Sequence, residues 1–252
     1  SKSYAHYVYI TKEGLTIELH PRLLSHDQRV ILEDPFKAKY LARGYTYVLP
    51  YTEELIYLFS HLKKHVLHSG IGFTSLIDIG YYVMRFERSI DVKRFHQLLD
   101  EYQLTEFYRK IMMLNHIYFD FNYIEPWFDY DALEEDKFAQ LSDYLARSGT
   151  HGLGKDFFLN EVKVARYQLE GKGKIQMFFD MVFPPYHEIK WMYPKLLFIP
   201  LFLPIAWGLR LLSYVFDKDK KVMNKLKSFK VDKVEVNEVL EVFDYLGVCD
   251  RI

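Results

Sequence analysis

Three histidines have the spacing that places them on one face of a helix. His61, His65 and His68 lie at positions i, i+4 and i+7, and Lys64 is their neighbour on the same side. Two histidines four residues apart can bind zinc, but Leu62 replaces the glutamate that follows the first histidine in zinc proteases. The spacing favours a polar face that lines a cleft, and a solvated helix surface is the alternative.

A carboxylate and an imidazole lie two residues apart near the start of the chain. Residues 4–10 and 15–20 are rich in β-branched and aromatic side chains and flank a turn sequence, which predicts a β-hairpin. Because side chains alternate along a strand, Glu18 and His20 would share its polar face. A hairpin alone is marginally stable in water, so we expect these strands to belong to a larger sheet. A further short strand is predicted at 45–49.

A second candidate carboxylate, Asp78, lies within the apolar run 76–79 of the next predicted helix. This run would bury the side chain. A buried carboxylate has to be paired or protonated. We therefore expect Asp78 to contact Lys64 or a histidine of the preceding helix, and a purely structural ion pair is the alternative.

Two other motifs are interpreted as structural. Asp129 and Asp131 form a D-x-D pair, but no Gly-Ser turn precedes them, so they are read as acids at a helix N-terminus, where the helix dipole favours negative charge. The glycine-containing segment 152–155 follows a helix and lacks the spacing of a phosphate loop, which indicates a connection between helices.

The composition is that of a folded, globular chain. Half of the 252 residues are apolar, with only 12 glycines and 9 prolines. The 33 basic and 34 acidic residues nearly cancel, so an anionic ligand would need a local site. A single cysteine, Cys249, excludes an internal disulfide and a four-cysteine zinc site and fits a reducing compartment, so we expect a cytoplasmic protein.

The chain after Pro50 predicts helices. The first would run from Thr52 to about Leu67 and stop at Gly70. Further helices are predicted at about 73–87, 91–102, 104–117, 132–147, 155–169, 186–215 with proline breaks, 218–229 and 233–246. These elements predict an α+β fold, predominantly α, with a partial sheet in residues 1–50 and a helical domain in 51–252.

One segment resembles a membrane helix. Residues 196–209 are uncharged, but a bilayer span takes roughly 20 apolar residues. Pro200 and Pro204 also interrupt the segment, so we expect a buried, proline-broken helix and no transmembrane segment.

The order of three motifs resembles the uncharacterised nucleotidyltransferase family related to polymerase beta. The motifs are the strand Ile17-Glu18-Leu19-His20, the helical segment 54–65 and the run Leu76-Ile77-Asp78-Ile79. Parts of 148–152 and 181–210 are similar to the C-terminal portion of that family. The resemblance implies that residues 1–50 are a remnant of the family's mixed sheet.

The resemblance also implies an activity. In related enzymes a nucleotidyl group passes from a nucleoside triphosphate to an acceptor, and two magnesium ions held by three carboxylates stabilise the reacting oxygens. Glu18 matches the third carboxylate, a magnesium ligand, and His20 would position it or the substrate. Four further residues would contact phosphate or acceptor: His61, Lys64, His65 and Asp78.

The first two carboxylates and their Gly-Ser turn have no match and would lie before Ser1. We therefore expect an incomplete chain with weak or absent turnover. The chain is truncated, or the upstream part of the polypeptide is not in this sequence, or the protein is a degenerate relative, and the first two explanations suit the abrupt start of the sequence better. Two other functions remain open: a non-catalytic helical module that recruits a protein, and peripheral membrane contact through 194–207. The acceptor, the nucleotide and the oligomeric state are also open.

Overall fold

The computed structural model describes residues 7–19, 39–40, 47–121, 135–149, 156–190, 193, 196, 200–215 and 231–249. The chain forms two compact units, each discontinuous in sequence. Unit 1 comprises Ser1–Asp27 with Gly171–Leu226, and unit 2 comprises Gln28–Glu170 with Lys227–Ile252. The boundary that the sequence predicts after residue 50, between a partial sheet and a helical domain, stays a prediction.

The described secondary structure is mainly helical, with two short antiparallel sheets. This confirms the predicted α+β class in which helices predominate. The strands are β1 Tyr7–Ile10, β2 Thr16–Leu19, β3 Lys39–Tyr40 and β4 Tyr47–Val48. The helices are α1 Tyr51–His68, α2 Phe73–Phe86, α3 Val92–Glu101, α4 Thr105–Phe119, α5 Glu135–Ser148, α6 Asp156–Leu169, α7 Lys174–Val182, α8 Tyr186–Ile189, α9 Leu203–Val215 and α10 Lys233–Tyr245.

The hairpin of unit 1 is confirmed. Strand β1 pairs antiparallel with β2, and Val8 is opposite Glu18. The turn closes because the Gly14 N–H donates to the Thr11 carbonyl oxygen at 3.1 Å. Gly14 has a φ of +85°, in the left-handed region that glycine adopts without strain. A glycine at this turn is therefore a local requirement of the hairpin.

The helical part of unit 1 departs from the sequence expectation. Helix α7 is not predicted, and the predicted segment 186–215 contains α8, a 3₁₀ turn at Pro200–Phe202 and α9. Ile189 and Ala206 are fully buried, and five partly buried side chains pack against them: Tyr186, Tyr193, Leu196, Leu203 and Trp207. The expectation of a buried helix over 196–209 is wrong, because most of the apolar side chains of α9 that the structure describes are exposed.

None of the helices in the described parts of the chain is long and apolar enough to cross a membrane.

Unit 2 has a dense aromatic core. The rings of Phe59 on α1, Phe95 on α3 and Tyr108 on α4 contact one another, with centroids 5.3 to 6.2 Å apart. The buried Tyr144 hydroxyl on α5 donates to the Val66 carbonyl oxygen of α1 at 3.1 Å. These contacts hold α1 between α3, α4 and α5.

The end of the chain closes on the middle of unit 2. Helix α10 packs on α5 and α6. Gly247 follows it with a φ of +63°, and a Cβ at this position would lie 3.0 Å from the Cβ of Glu106. Only glycine leaves room for this approach between the end of α10 and the start of α4.

Most predicted helices of unit 2 are confirmed. Those expected at 52–67, 73–87, 91–102, 104–117, 132–147, 155–169 and 233–246 match observed helices, with ends that differ by a few residues. The strand predicted at 45–49 is confirmed as the shorter β4, whose partner β3 is not predicted. The helix expected at 218–229 lies outside the described residues.

Candidate anion-binding face on helix α1

Helix α1 is oriented by its apolar side. Five apolar residues on one side of the helix, the adjacent pair Leu55 and Ile56 and then Phe59, Leu62 and Val66 at intervals of three to four, are at most 5% exposed. Two acids lie in the first turn and two histidines in the last, which suits the helix dipole at both ends. The helix stops where Gly70, with a φ of +79°, donates its N–H to the His65 carbonyl oxygen. With this side buried, the histidine stripe lies on the outer side of the helix.

The first two histidines of the stripe form a pair. The Nε2 atoms of His61 and His65 are 2.9 Å apart, and the rings are nearly perpendicular. One nitrogen must donate a proton and the other must accept it. The Nδ1 atom of His65 is 3.1 Å from the Ser69 Oγ. The pair is therefore positioned to hold a single proton between two nitrogen atoms.

The pair does not have the spacing of two zinc ligands. Two nitrogen atoms bound to one tetrahedral zinc ion at about 2.0–2.1 Å lie about 3.3 Å apart. The observed 2.9 Å between the Nε2 atoms of His61 and His65 instead suits a hydrogen bond. No three His, Cys, Asp or Glu side chains in the described parts of the chain form a metal-binding group.

Positive charge collects at the C-terminal half of α1. The His68 Nδ1–H donates to the Lys64 carbonyl oxygen at 2.8 Å. The pKa of His68 is lowered, first by partial desolvation and next by the positive charge of Arg166, with smaller contributions from Lys64 and His65. Lys64 and Arg166 therefore supply the positive charge near His68, whose own charged form is disfavoured.

Arg166 is the residue of this cluster that the sequence does not reveal. It lies on α6, which packs against α1. Its Nε atom is 3.5 Å from a carboxylate oxygen of Glu170, one turn further on. Nothing in the local sequence links Arg166 to a histidine stripe about one hundred residues earlier, and only the tertiary packing of the two helices does so.

Asp78 is not buried, contrary to expectation. The buried residues of α2 are Leu76, Ile79, Gly80 and Val83, and Asp78 is exposed. At about 100° per residue, Asp78 is rotated about 200° from Leu76 and faces away from the core. Within the described residues, its carboxylate has no hydrogen bond or ion pair, so the expected contact with Lys64 or a histidine is not formed. A role for Asp78 in substrate binding stays a prediction.

The structure does not describe the side chains of several other candidates. Glu18 lies in β2, but the position of its side chain is not described, and neither is any part of His20. The same holds for Asp129, Asp131 and the segment 152–155. The catalytic and magnesium-binding roles of Glu18, and the positioning role of His20, therefore stay predictions.

The described chain is thus a mainly helical protein with a cationic, histidine-bearing helix face. A family model described as uncharacterised nucleotidyltransferase matches residues 1–120. The match contains both strands of the hairpin, α1 and α2, and so confirms the resemblance over this part of the chain. No curated protein and no solved structure matches the chain. The similarity noted in 148–152 and 181–210, and the relation to polymerase beta, stay predictions.

Proposed function

We propose that the chain takes part in nucleotidyl transfer from a nucleoside triphosphate to an acceptor, and that the outer face of α1 binds the phosphates. The observation that carries the proposal is the cluster of His61, Lys64, His65 and His68 within the family-matched region, with Arg166 beside it. Phosphate oxygens prefer such partners, because hydrogen bonds from charged donors are shorter and stronger than those between neutral groups.

Side chains have to supply this binding. The C-terminal end of a helix carries a partial negative charge, so the backbone of α1 opposes an anion near His68. A lysine gives a compact point charge, whereas an arginine presents a planar fork of donors to phosphate. Lys64 and Arg166 therefore have separate and complementary roles in the proposed site.

The histidine pair has a chemical role in the proposal. Transfer breaks the O–H bond of an acceptor hydroxyl, forms a P–O bond and releases pyrophosphate. The hydroxyl proton needs an acceptor, and histidine is the side chain that most often serves as one. One Nε2 atom of the His61–His65 pair carries a proton and the other accepts it, so the hydroxyl proton would go to the accepting Nε2 once the hydrogen bond between the rings opens.

Magnesium dependence belongs to the proposal through the family resemblance alone. Carboxylate and other oxygen ligands suit this ion. The described residues do not provide the three-carboxylate set that the resemblance implies, and of its members only Glu18 has a match in the sequence. Asp78 and His20 remain proposed contacts to substrate.

Nucleotide binding is the test. Equilibrium binding of a non-hydrolysable triphosphate analogue, with and without Mg²⁺, is compared for the chain, Lys64→Ala and Arg166→Ala. A hydrogen bond to a charged group contributes about 1.5–3 kcal/mol, so each variant should bind roughly 10- to 100-fold more weakly. Lys93→Ala, which removes an exposed lysine of α3, is the matched control and should bind as the parent does.

The outcome separates the two functions considered for the sequence. If the parent chain binds no triphosphate under either condition, the nucleotidyl transfer proposal fails and the non-catalytic interaction module is favoured. If it binds and the Lys64→Ala and Arg166→Ala variants bind equally well, the phosphates lie elsewhere. Circular dichroism of each variant shows whether the helices are retained.

A further inference from the structure

Helix α9 is apolar on nearly all sides, yet most of it lies at the surface. Ala206 is its fully buried side chain among the described residues, whereas Ile205 is 52% exposed and Leu209 is 44% exposed. Leu201, in the 3₁₀ turn before the helix, is 80% exposed. A helix that is apolar all round is normally covered by protein or lipid. A cover for the surface of α9 is therefore needed, and the described residues of unit 1 do not supply it.

Helix α7 turns its apolar stripe outward. Ile175, Phe178, Phe179 and Phe183 are all exposed, at the spacing of one helix face, while Met177 is buried. In a helix of a globular protein such a stripe would face the core. In α7 the apolar stripe instead faces outward, as it does in a helix that lies on a membrane surface.

The two helices share one exposed surface. The ring of Phe179 stacks on that of Phe183, whose centroid is 5.4 Å from the ring of Trp207 on α9. The Trp207 indole N–H donates to the Pro184 carbonyl oxygen at 2.9 Å. A continuous row of aromatic rings thus joins the outward stripe of α7 to α9.

The net charge of unit 1 indicates which kind of partner covers this apolar surface. Its segments 1–27 and 171–226 contain twelve basic and seven acidic residues, a net charge of +5. The rest of the chain contains 21 basic and 27 acidic residues, a net charge of −6, so the near-zero total conceals a strong asymmetry. An apolar surface within a basic unit is complementary to a membrane leaflet with anionic headgroups.

We propose that the exposed apolar surface of α7 and α9 docks unit 1 on an anionic lipid bilayer, in the plane of the headgroups. Thirteen residues of α9 extend about 20 Å at 1.5 Å per residue, which is less than the roughly 30 Å of a hydrocarbon core. The helix therefore lies on the bilayer, and the aliphatic side chains enter the boundary between headgroups and acyl chains. This docking is independent of the nucleotidyl transfer proposed above.

Vesicle flotation of the whole chain is the test. Vesicles of phosphatidylcholine alone are compared with vesicles that also contain phosphatidylserine, at low and high salt. Cofloating is expected with the anionic vesicles and should weaken with salt, since headgroup attraction is screened. Equal flotation with both vesicle types, or no flotation with either, would overturn docking on an anionic bilayer.

A charge-matched pair of variants locates the surface. The double variant Ile205→Glu with Leu209→Glu should bind anionic vesicles at least about ten-fold more weakly, given the free energy of burying two such side chains. Met84→Glu with Val234→Glu adds the same charge at positions that are 45% and 63% exposed in unit 2, and should bind as the parent does. All four positions are at the surface, so folding should be retained in both.

Equal binding by the Ile205 and Leu209 variant would overturn the assignment of this surface. A second overturning result comes from size-exclusion chromatography. If the parent ignores vesicles but self-associates, and the same variant is monomeric, the surface is a protein interface and not a membrane-docking face.

Discussion

The helices of the two units place similar apolar residues in opposite environments. In unit 2, Phe59 and Phe95 are completely buried between α1, α3 and α4. In unit 1, Phe179 is 51% exposed on α7, although it too belongs to an apolar helical stripe. The periodicity of a helix therefore tells which side is apolar. Whether that side is covered depends on the helices that surround it.

The two units also differ in how they treat charge. Unit 2 is the acidic one, yet it buries a carboxylate completely: Glu161 on α6, which contacts the Arg147 guanidinium of α5. Burial raises the pKa of Glu161, the nearby Arg147 lowers it, and the neighbouring carboxylates of Glu235 and Glu238 raise it further. A packed core thus imposes burial on a charged side chain, while the surface of unit 1 leaves apolar side chains in water.

The largest effect is expected on the free energy of unfolding, when the same aromatic ring is removed from the core of unit 2 and from the surface of unit 1. Phe95→Ala removes a ring from a filled core and should lower the free energy of unfolding by about 3–5 kcal/mol. Phe179→Ala is the same change at a half-exposed site and should cost less than about 1 kcal/mol, because surface substitutions rarely exceed a few tenths. Urea denaturation of both variants measures the difference. Similar losses would mean that the α7 stripe is covered in solution.

A second, smaller effect concerns the buried carboxylate. Because the folded state raises the pKa of Glu161, the native protein holds its proton more tightly than the unfolded chain does. The stability of the parent should therefore fall as the pH rises from about 4.5, the ordinary value, through the folded pKa. Glu161→Gln cannot lose a proton, so its stability relative to the parent should increase over that range. Parallel urea midpoints of the two proteins from pH 4 to 8 would contradict this reasoning.

The smallest effect is expected at the cationic end of α1. The folded state lowers the pKa of His68 below 6.5, so the native protein disfavours the charged ring. Stability is fully retained above pH 6.5 and is lost as the pH falls through the folded pKa. His68→Gln has no such loss, and its urea midpoint relative to the parent should rise between pH 7.5 and pH 5. A constant difference across this range would show that neither desolvation nor the surrounding cations lower the pKa of His68 in the folded state.

The sequence predicts the helices of unit 2 well, because their apolar residues recur at helical spacing and their ends carry clear stops, as at Gly70. It also places the histidine stripe on one face correctly. The prediction from sequence is wrong for Asp78. An apolar run suggests that every residue in it is buried, whereas only one side of α2 packs against the core. The sequence fails for Arg166 as well, because residues so far apart in sequence meet through packing alone. For α9, the high hydropathy predicted a buried helix. That prediction is wrong because the described part of the protein leaves most of this helix uncovered.

The hydrogen bond from Tyr144 to Val66 and the close approach of Gly247 to Glu106 have a practical consequence for experiments. Both tie the family-matched stretch, residues 1–120, to segments that follow it by more than twenty and more than one hundred residues. A fragment ending at 120 would uncover the backbone of α1 and the first turn of α4. The edge of the sequence match is therefore not a boundary for protein production, and a fragment meant to test α1 needs α5, α6 and α10 as well.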